Sequence, residues 1–136
     1  MKGIYVLVLE VEEDIEVEVG SLGKLTFKKG IYLYVGSAQN NLEKRIKRHL
    51  SKDKKFHWHI DYLLANRKVK IVEVLYRELS KEWECKIAKS ITGEIVSKFG
   101  ASDCNCLSHL FKIDKSQIQF LRELRFKNLI IGETRL

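Results

Sequence analysis

The sequence contains no proline, only three cysteines and no long apolar segment. Without proline or low-complexity tracts the chain has no recognisable linker, which favours one domain over residues 1–136. The longest uninterrupted apolar stretch, residues 4–9, has the length of a strand and is too short to cross a bilayer. No signal peptide is apparent, so we expect a cytoplasmic protein whose thiols are reduced.

Charge is distributed unevenly along the chain. Residues 1–20 contain one lysine and six acidic residues, whereas residues 41–70 contain ten basic residues and three acidic ones. The basic excess of the second segment equals the net charge of +7 of the whole chain. A concentrated basic patch favours a polyanionic partner such as a nucleic acid, although a solvated helix face gives the same pattern.

Apolar periodicity predicts four strands in the first third of the chain. Residues 3–11 are apolar on both alternating faces, as in a central strand, and residues 30–36 form a similar run. Between them, residues 14–19 alternate between apolar and acidic side chains, and a glycine-containing turn leads to a short return strand. Residues 12–29 are therefore predicted to form a β-hairpin.

Helical spacing dominates the middle of the chain. Asn40 or Asn41 is predicted to cap a helix that ends near Leu50, and residues 57–64 are predicted to form a second short helix. A longer third helix is predicted to continue to about residue 96. Its cap would be Ser80, and its buried stripe would be Trp83, Ile87, Ile91 and Ile95.

The remaining elements are two strands, at 69–76 and 110–113, and a C-terminal segment. That segment, residues 98–136, contains a loop rich in cysteine and histidine and a last helix at 116–126. Hairpin-like connections come first and strand-helix alternation is not sustained. This order predicts an α+β domain with a small antiparallel or mixed sheet flanked by helices.

Several polar side chains stand at unusual places on these elements. If the strands that carry Tyr5 and Tyr34 pair, the two phenols lie near each other on one face of the sheet. Arg45 and His49 are four residues apart and share one side of the first helix. Glu84 stands in the first turn of the third helix, where a half-sheltered carboxylate suits a hard cation.

These groups are the ones that phosphodiester hydrolysis requires. A carboxylate such as Glu84 holds Mg²⁺ or Mn²⁺, and an arginine adds positive charge to the transition state. A tyrosine or histidine orients or deprotonates the attacking water. The residues that we expect to contact the nucleic-acid backbone are Lys44, Lys47, Arg48, Lys54, Lys55 and His57.

The same residues resemble the signatures of the GIY-YIG nucleases. Gly3-Ile4-Tyr5 is similar to the first signature and Tyr34-Val35-Gly36 to the second, both on strands. The resemblance covers roughly the first hundred residues, with the hairpin at 12–29 inserted between the signatures. The His57–Tyr62 phrase and residues 102–111 resemble a compact subfamily of unassigned function, some of whose members are fused to base-excision repair enzymes.

The resemblance implies a metal-dependent endonuclease whose partner is DNA, with RNA as the alternative, and a possible place in DNA repair. Tyr5 would activate water or shuttle its proton, and Tyr34 would assist at the phosphate. Arg45 would stabilise the transition state, His49 would support both functions, and Glu84 would hold the single metal ion. The alternatives are a non-catalytic nucleic-acid-binding module that uses residues 44–55, and a protein-interaction domain that docks through the acidic residues 14–19.

Two further clusters admit several interpretations. His57, His59 and Asp61 would bind a metal, contact phosphate, or form an ordinary histidine–carboxylate pair within a helix. Another set would bind zinc or simply contain buried thiols, and a disulfide from Cys85 to one of the other two cysteines is a further alternative. The members of this set are Cys85, Cys104, Cys106 and His109.

Overall fold

The computed structural model describes residues 1–101, 106–131 and 134–135 and has the predicted α+β class. The helices are α1 (Leu42–Leu50), α2 (His59–Leu64), α3 (Trp83–Ser90) and α4 (Ser116–Glu123). The longer strands are β1 (Gly3–Val11), β2 (Ile15–Glu18), β3 (Lys24–Phe27), β4 (Gly30–Ala38), β5 (Val69–Arg77) and β7 (Leu110–Ile113). The two-residue strands are β6 (Glu94–Ile95), β8 (Lys127–Asn128), β9 (Ile130–Ile131) and β10 (Thr134–Arg135).

The main sheet of the described residues has six strands in the order β6-β7-β4-β1-β5-β8, and every pairing in it is antiparallel. β1 lies near its centre, paired with β4 on one side and β5 on the other. Only Glu10 of β1 is exposed. The near-continuous apolar run predicted this central position, because both faces of a central strand are covered.

Alternate residues of β1 belong to two separate apolar cores. Tyr5, Leu7 and Leu9 lie in the first core, which is covered by α1, α2 and the β2–β3 hairpin. Their neighbours Val6 and Val8 lie in the second core, which is covered by α3 and α4. The face of the sheet that carries the first core is called the tyrosine face below, and the opposite face is called the aliphatic face.

The predicted hairpin between β1 and β4 is confirmed and forms a two-stranded sheet of its own. Its turn is a short 3-10 helix, Gly20–Leu22, whose first residue Gly20 has a positive φ angle, as does Gly23 just after it. Val19 and Phe27 of the hairpin are fully buried in the core of the tyrosine face. The hairpin therefore covers part of this face, while its acidic side chains remain at the surface.

The predicted third helix is wrong in its length. α3 begins at Trp83 and ends at Ser90, Ile91 is already extended, and residues 94–95 pair with β7. Gly93 lies so close to the sheet that an added Cβ atom would clash with the Lys112 carbonyl oxygen. Sheet pairing therefore overrides helical spacing here, and both Trp83 and Ile95 are exposed rather than buried.

Helix ends differ from the predictions at three further places. Ser80 does not cap α3, because its hydroxyl donates to the Glu82 carboxylate. α2 begins at His59 rather than at residue 57, with Trp58 extended at its N-terminus. α4 ends at Glu123, and Arg125 follows with a positive φ angle. In the described part of the chain, no helix has the length and hydropathy of a membrane span.

Candidate active site

Tyr5 and Tyr34 lie side by side on the tyrosine face, as predicted from strand pairing. Tyr5 is opposite Gly36 and Tyr34 is opposite Leu7 in the antiparallel register of β1 and β4. Both phenols are almost fully buried. A Cβ atom at position 36 would lie 2.3 Å from the Cζ atom of Tyr5, so the ring of Tyr5 occupies the space that a side chain would need. Glycine at this position is thus required for the placement of the phenol.

His49 of α1 contacts both tyrosines from above the sheet. Its Nε2 atom is 2.7 Å from the Tyr5 hydroxyl, and its ring packs edge-on to Tyr34. Burial lowers the pKa of His49 to about 3 and raises the pKa of Tyr5 to about 12. Burial also raises the pKa of Tyr34 well above its usual value. All three groups are therefore neutral at physiological pH.

Arg45 places its guanidinium at the end of β4. Its Nη1 atom donates to the Ser37 carbonyl oxygen at 3.0 Å, and its Cζ atom lies 4.5 Å from the ring centroid of Trp58. The planar group is thus held by a hydrogen bond and by cation–π contact. Its positive charge acts to lower the pKa of Tyr5, against the larger effect of burial.

Glu84 reaches the same region from the first turn of α3. Its side chain is 18% exposed, and its Oε2 atom lies 3.7 Å from Nδ1 of His109. That histidine nitrogen also donates to the Val35 carbonyl oxygen at 3.0 Å. The Glu84 carboxylate is therefore partly buried beside His109, while part of it remains accessible to solvent.

A polar cleft of about 160 Å³ brings these groups together. The predicted residues that line it are Tyr5, Tyr34, Arg45 and Glu84. His49 does not line the cleft and acts on it through Tyr5. One accessible carboxylate in a polar cleft fits Mg²⁺ or Mn²⁺, because such ions take few protein ligands and complete their shell with water and phosphate oxygens.

Further residues that were not predicted as site residues from the sequence also line the cleft. Trp58 precedes α2, Lys81 precedes α3, and Gly100 follows β6, so three separate segments converge on the ends of β1 and β4. Trp58 lies inside the His57–Tyr62 phrase, which is the one sequence signal for it. Lys81 and Gly100 carry no such signal, because their position depends on tertiary packing.

Four of the six predicted nucleic-acid contacts are solvent-exposed: Lys44, Lys47, Lys55 and His57. A groove of about 390 Å³ lies beside the cleft and shares Arg45 with it. Lys44 and the N-terminal cap of α1, Asn41, line this groove. Exposed positive charge therefore continues from the cleft along α1.

The other two predicted contacts, Arg48 and Lys54, are half-buried and are paired within the fold, and Arg48 also lines the groove. Arg48 forms a bidentate ion pair with the fully buried carboxylate of Asp61, with both N–O distances 2.9 Å. Lys54 donates from Nζ to the carbonyl oxygens of Arg48 and His49 at the C-terminus of α1. Both cations satisfy buried or helix-terminal acceptors, so they stabilise the fold.

The histidines near α2 do not form a metal site with Asp61. The carboxylate of Asp61 accepts the backbone N–H groups of His57 and Trp58, and the His57 side chain is exposed. Burial raises the pKa of Asp61, but Arg48 and these N–H groups outweigh burial and lower it. His59 instead accepts the backbone N–H of Gly100 through Nδ1 at 2.9 Å, which fixes one wall of the cleft.

Cys85 of α3 and Cys106 are joined by a disulfide across 21 residues of sequence. This is one of the alternatives that the sequence left open, and the expectation of reduced thiols is wrong for this pair in this structure. His109 is close by, with Nε2 3.9 Å from the Cys85 sulfur. Cys104, the remaining candidate ligand, lies outside the described residues.

Comparison with known proteins gives one match. A family model described as a domain of unknown function, DUF123, matches residues 4–129. No curated protein and no solved structure matches the chain. Because the match covers most of the chain, including all four helices and all but the first residue of the six-stranded sheet, the chain belongs to the DUF123 family.

Proposed function

We propose that this domain is a metal-dependent endonuclease that hydrolyses phosphodiester bonds in DNA. The observation that carries the proposal is the convergence of Tyr5, Tyr34, Arg45 and Glu84 on one polar cleft. These side chains come from two strands and two helices. Their meeting at one place supports a chemical function better than any of the short sequence signatures does alone.

Each group has a role that its surroundings favour. Glu84 supplies the carboxylate for one Mg²⁺ or Mn²⁺ ion. That ion would neutralise charge on the scissile phosphate and lower the pKa of bound water. Arg45 is held with its guanidinium at the cleft, where it stabilises negative charge that develops on the phosphoryl oxygens. Tyr34 donates its phenolic proton as a hydrogen bond to the same group.

Tyr5 is the proposed proton shuttle. Nε2 of His49 lies 2.7 Å from the Tyr5 oxygen, and we assign the neutral tautomer in which Nε2 donates to that oxygen. The hydroxyl proton of Tyr5 then faces the cleft. As water attacks phosphorus, one water proton passes to the Tyr5 oxygen while the Tyr5 proton passes to a phosphoryl oxygen, and the leaving oxygen takes a proton from solvent.

The exposed cations position the substrate. Lys44 lies in the groove beside the cleft, and Lys47 and Lys55 extend the positive surface along and beyond α1. Such contacts bind phosphates without reading sequence and weaken as salt rises. The same surface supports the second candidate function, a nucleic-acid-binding module without catalysis. Such a module would bind through the same exposed cations but would not use the cleft for hydrolysis.

The test is cleavage of labelled duplex, nicked, branched and single-stranded DNA in Mg²⁺ or Mn²⁺. We expect Glu84→Gln to lower the rate by about 10²–10³-fold and a chelator to abolish it. Glu82→Gln is the matched control, because Glu82 is an exposed carboxylate just before the same helix. Cleavage that survives both Glu84→Gln and chelation contradicts the proposal, and tight binding without cleavage of any substrate favours the binding module.

A further inference from the structure

A second cluster of metal-binding side chains lies outside the cleft. The sulfur atoms of Cys85 and Cys106 and a ring nitrogen of His109 all lie within 4.8 Å of one another. Cys106 is 8% exposed and His109 is 2% exposed. Cys85 comes from α3, and the other two come from the segment just before β7. Three donor atoms from two separate segments thus converge on one small volume.

The orientation of His109 favours a metal ligand. Nδ1 lies 3.0 Å from the Val35 carbonyl oxygen, and a carbonyl oxygen only accepts, so Nδ1 carries the proton. The lone pair of the neutral ring is therefore on Nε2, which is the nitrogen that faces the Cys85 sulfur. Histidines that bind metals are commonly fixed in this way, with the distal N–H donated to a backbone carbonyl or a carboxylate.

We propose that the reduced protein binds one zinc ion through Cys85, Cys106 and His109. Two thiolates and an imidazole form a soft ligand set, which selects zinc over magnesium, whereas Glu84 in the cleft offers a hard oxygen ligand. A water molecule would supply the fourth ligand that zinc usually takes. The ion would tie α3 to the segment before β7, beside the cleft but chemically separate from its magnesium or manganese ion.

The disulfide and the zinc complex exclude each other. A thiol reductant delivers two electrons and two protons to the Cys85–Cys106 bond and is itself oxidised to a disulfide, which leaves two free thiols. Zinc binding then displaces the two thiol protons into solvent. The structure therefore has the oxidised form of a pair whose reduced form is the metal site.

The test is the metal content of the full-length protein. Protein that has been reduced with a phosphine, supplied with zinc and dialysed against metal-free buffer is expected to retain about one zinc ion per chain. Cys85→Ser, Cys106→Ser and His109→Gln are expected to lower that value at least about tenfold. His57→Gln is the matched control, because His57 is an exposed histidine away from the cluster, and a large excess of Mg²⁺ should not displace the zinc.

Cobalt keeps the test informative if a variant fails to fold. Wild-type protein loaded with Co²⁺ is expected to show a thiolate-to-cobalt charge-transfer band and the strong visible bands of a tetrahedral site, and prior oxidation to the disulfide should abolish both. Reduced wild-type protein that retains no zinc, a cobalt complex without the thiolate band, or equal zinc binding by the oxidised protein would overturn the proposal. None of these readouts depends on nuclease activity, so the two proposals fail independently.

Discussion

The two faces of the main sheet are built by alternate residues of the same strands, yet they differ in chemistry. The tyrosine face carries three buried tyrosines, a buried histidine and the Arg48–Asp61 ion pair above them. The core of the aliphatic face is a cluster of aliphatic and aromatic side chains, such as Leu33 and Leu75. Because the side-chain period of a strand is two, one face can be specialised for polar groups while the other supplies stability.

The buried polar groups of the tyrosine face are stabilised by hydrogen bonds and by an ion pair. Asp61 is fully buried and accepts two bonds from Arg48 and two from backbone N–H groups. Tyr5 and His49 satisfy each other across 2.7 Å. In contrast, Nδ1 of His49 is buried with no hydrogen-bond partner among the described residues. The comparison predicts that some substitutions on the tyrosine face lower the stability of the fold, whereas others lower the rate of DNA cleavage.

On the tyrosine face, the largest expected loss of stability comes from the buried ion pair. Arg48→Ala leaves the Asp61 carboxylate buried without its cation, and we expect a loss of about 2–4 kcal/mol in the free energy of unfolding, reduced from a fully buried pair because Arg48 is partly exposed. Lys47→Ala, one residue earlier on the same helix and exposed, should change stability by less than about 0.5 kcal/mol. Urea denaturation measures both, and equal effects would show that the ion pair does not stabilise the fold.

The next effect contrasts one residue on each face. Tyr5→Phe should lower the cleavage rate by about 10²–10³-fold while costing about 1 kcal/mol of stability from the lost hydrogen bond to His49. Leu33→Ala, on the aliphatic face, should cost about 2–5 kcal/mol of stability and leave the rate of the folded enzyme within about threefold. Cleavage kinetics and thermal unfolding of both variants test this contrast. Full activity of Tyr5→Phe would show that the Tyr5 hydroxyl takes no part in the reaction.

The remaining effect is a pH dependence that arises from His49. Its folded pKa of about 3 lies below its usual value of 6.5, so between these values the unfolded state binds a proton that the folded state does not. Stability should therefore fall as the pH drops below about 6.5, by up to about 1.4 kcal/mol per pH unit. Burial also lowers the pKa of His59, so part of the wild-type slope comes from that residue.

His49→Gln isolates the contribution of His49. Glutamine does not titrate, so the variant should lose that part of the slope in denaturation measurements between pH 6.5 and 4.5, a range above the usual pKa of Asp61. Its amide still donates to Tyr5, so cleavage should stay within about tenfold of wild type. An unchanged slope in the variant would mean that His49 takes up its proton in the folded state.

The sequence was sufficient for the parts of the molecule that depend on local pattern. The apolar run of β1 predicted a central strand, and pairing with β4 placed Tyr5 and Tyr34 together. It was insufficient where distant residues decide the outcome. Arg48 turns inward because of Asp61, 13 residues later, and α3 ends early because residues 94–95 pair with β7. The assignment of Glu84 to a metal and the resemblance to the nucleases remain predictions.

The hairpin between β1 and β4 has a consequence for the order of folding. β1 and β4 are joined by a connection that contains β2 and β3. Doubling the length of a flexible loop adds only about 0.6 kcal/mol of closure entropy, and a local hairpin forms in about 1–10 μs. Once formed, it holds Asp14 against the backbone N–H of Lys29, beside the point where β4 begins. Because the hairpin shortens the effective loop, we expect β1 and β4 to pair first at Val11 and Gly30 and then toward Tyr5 and Gly36, in the register of the folded sheet.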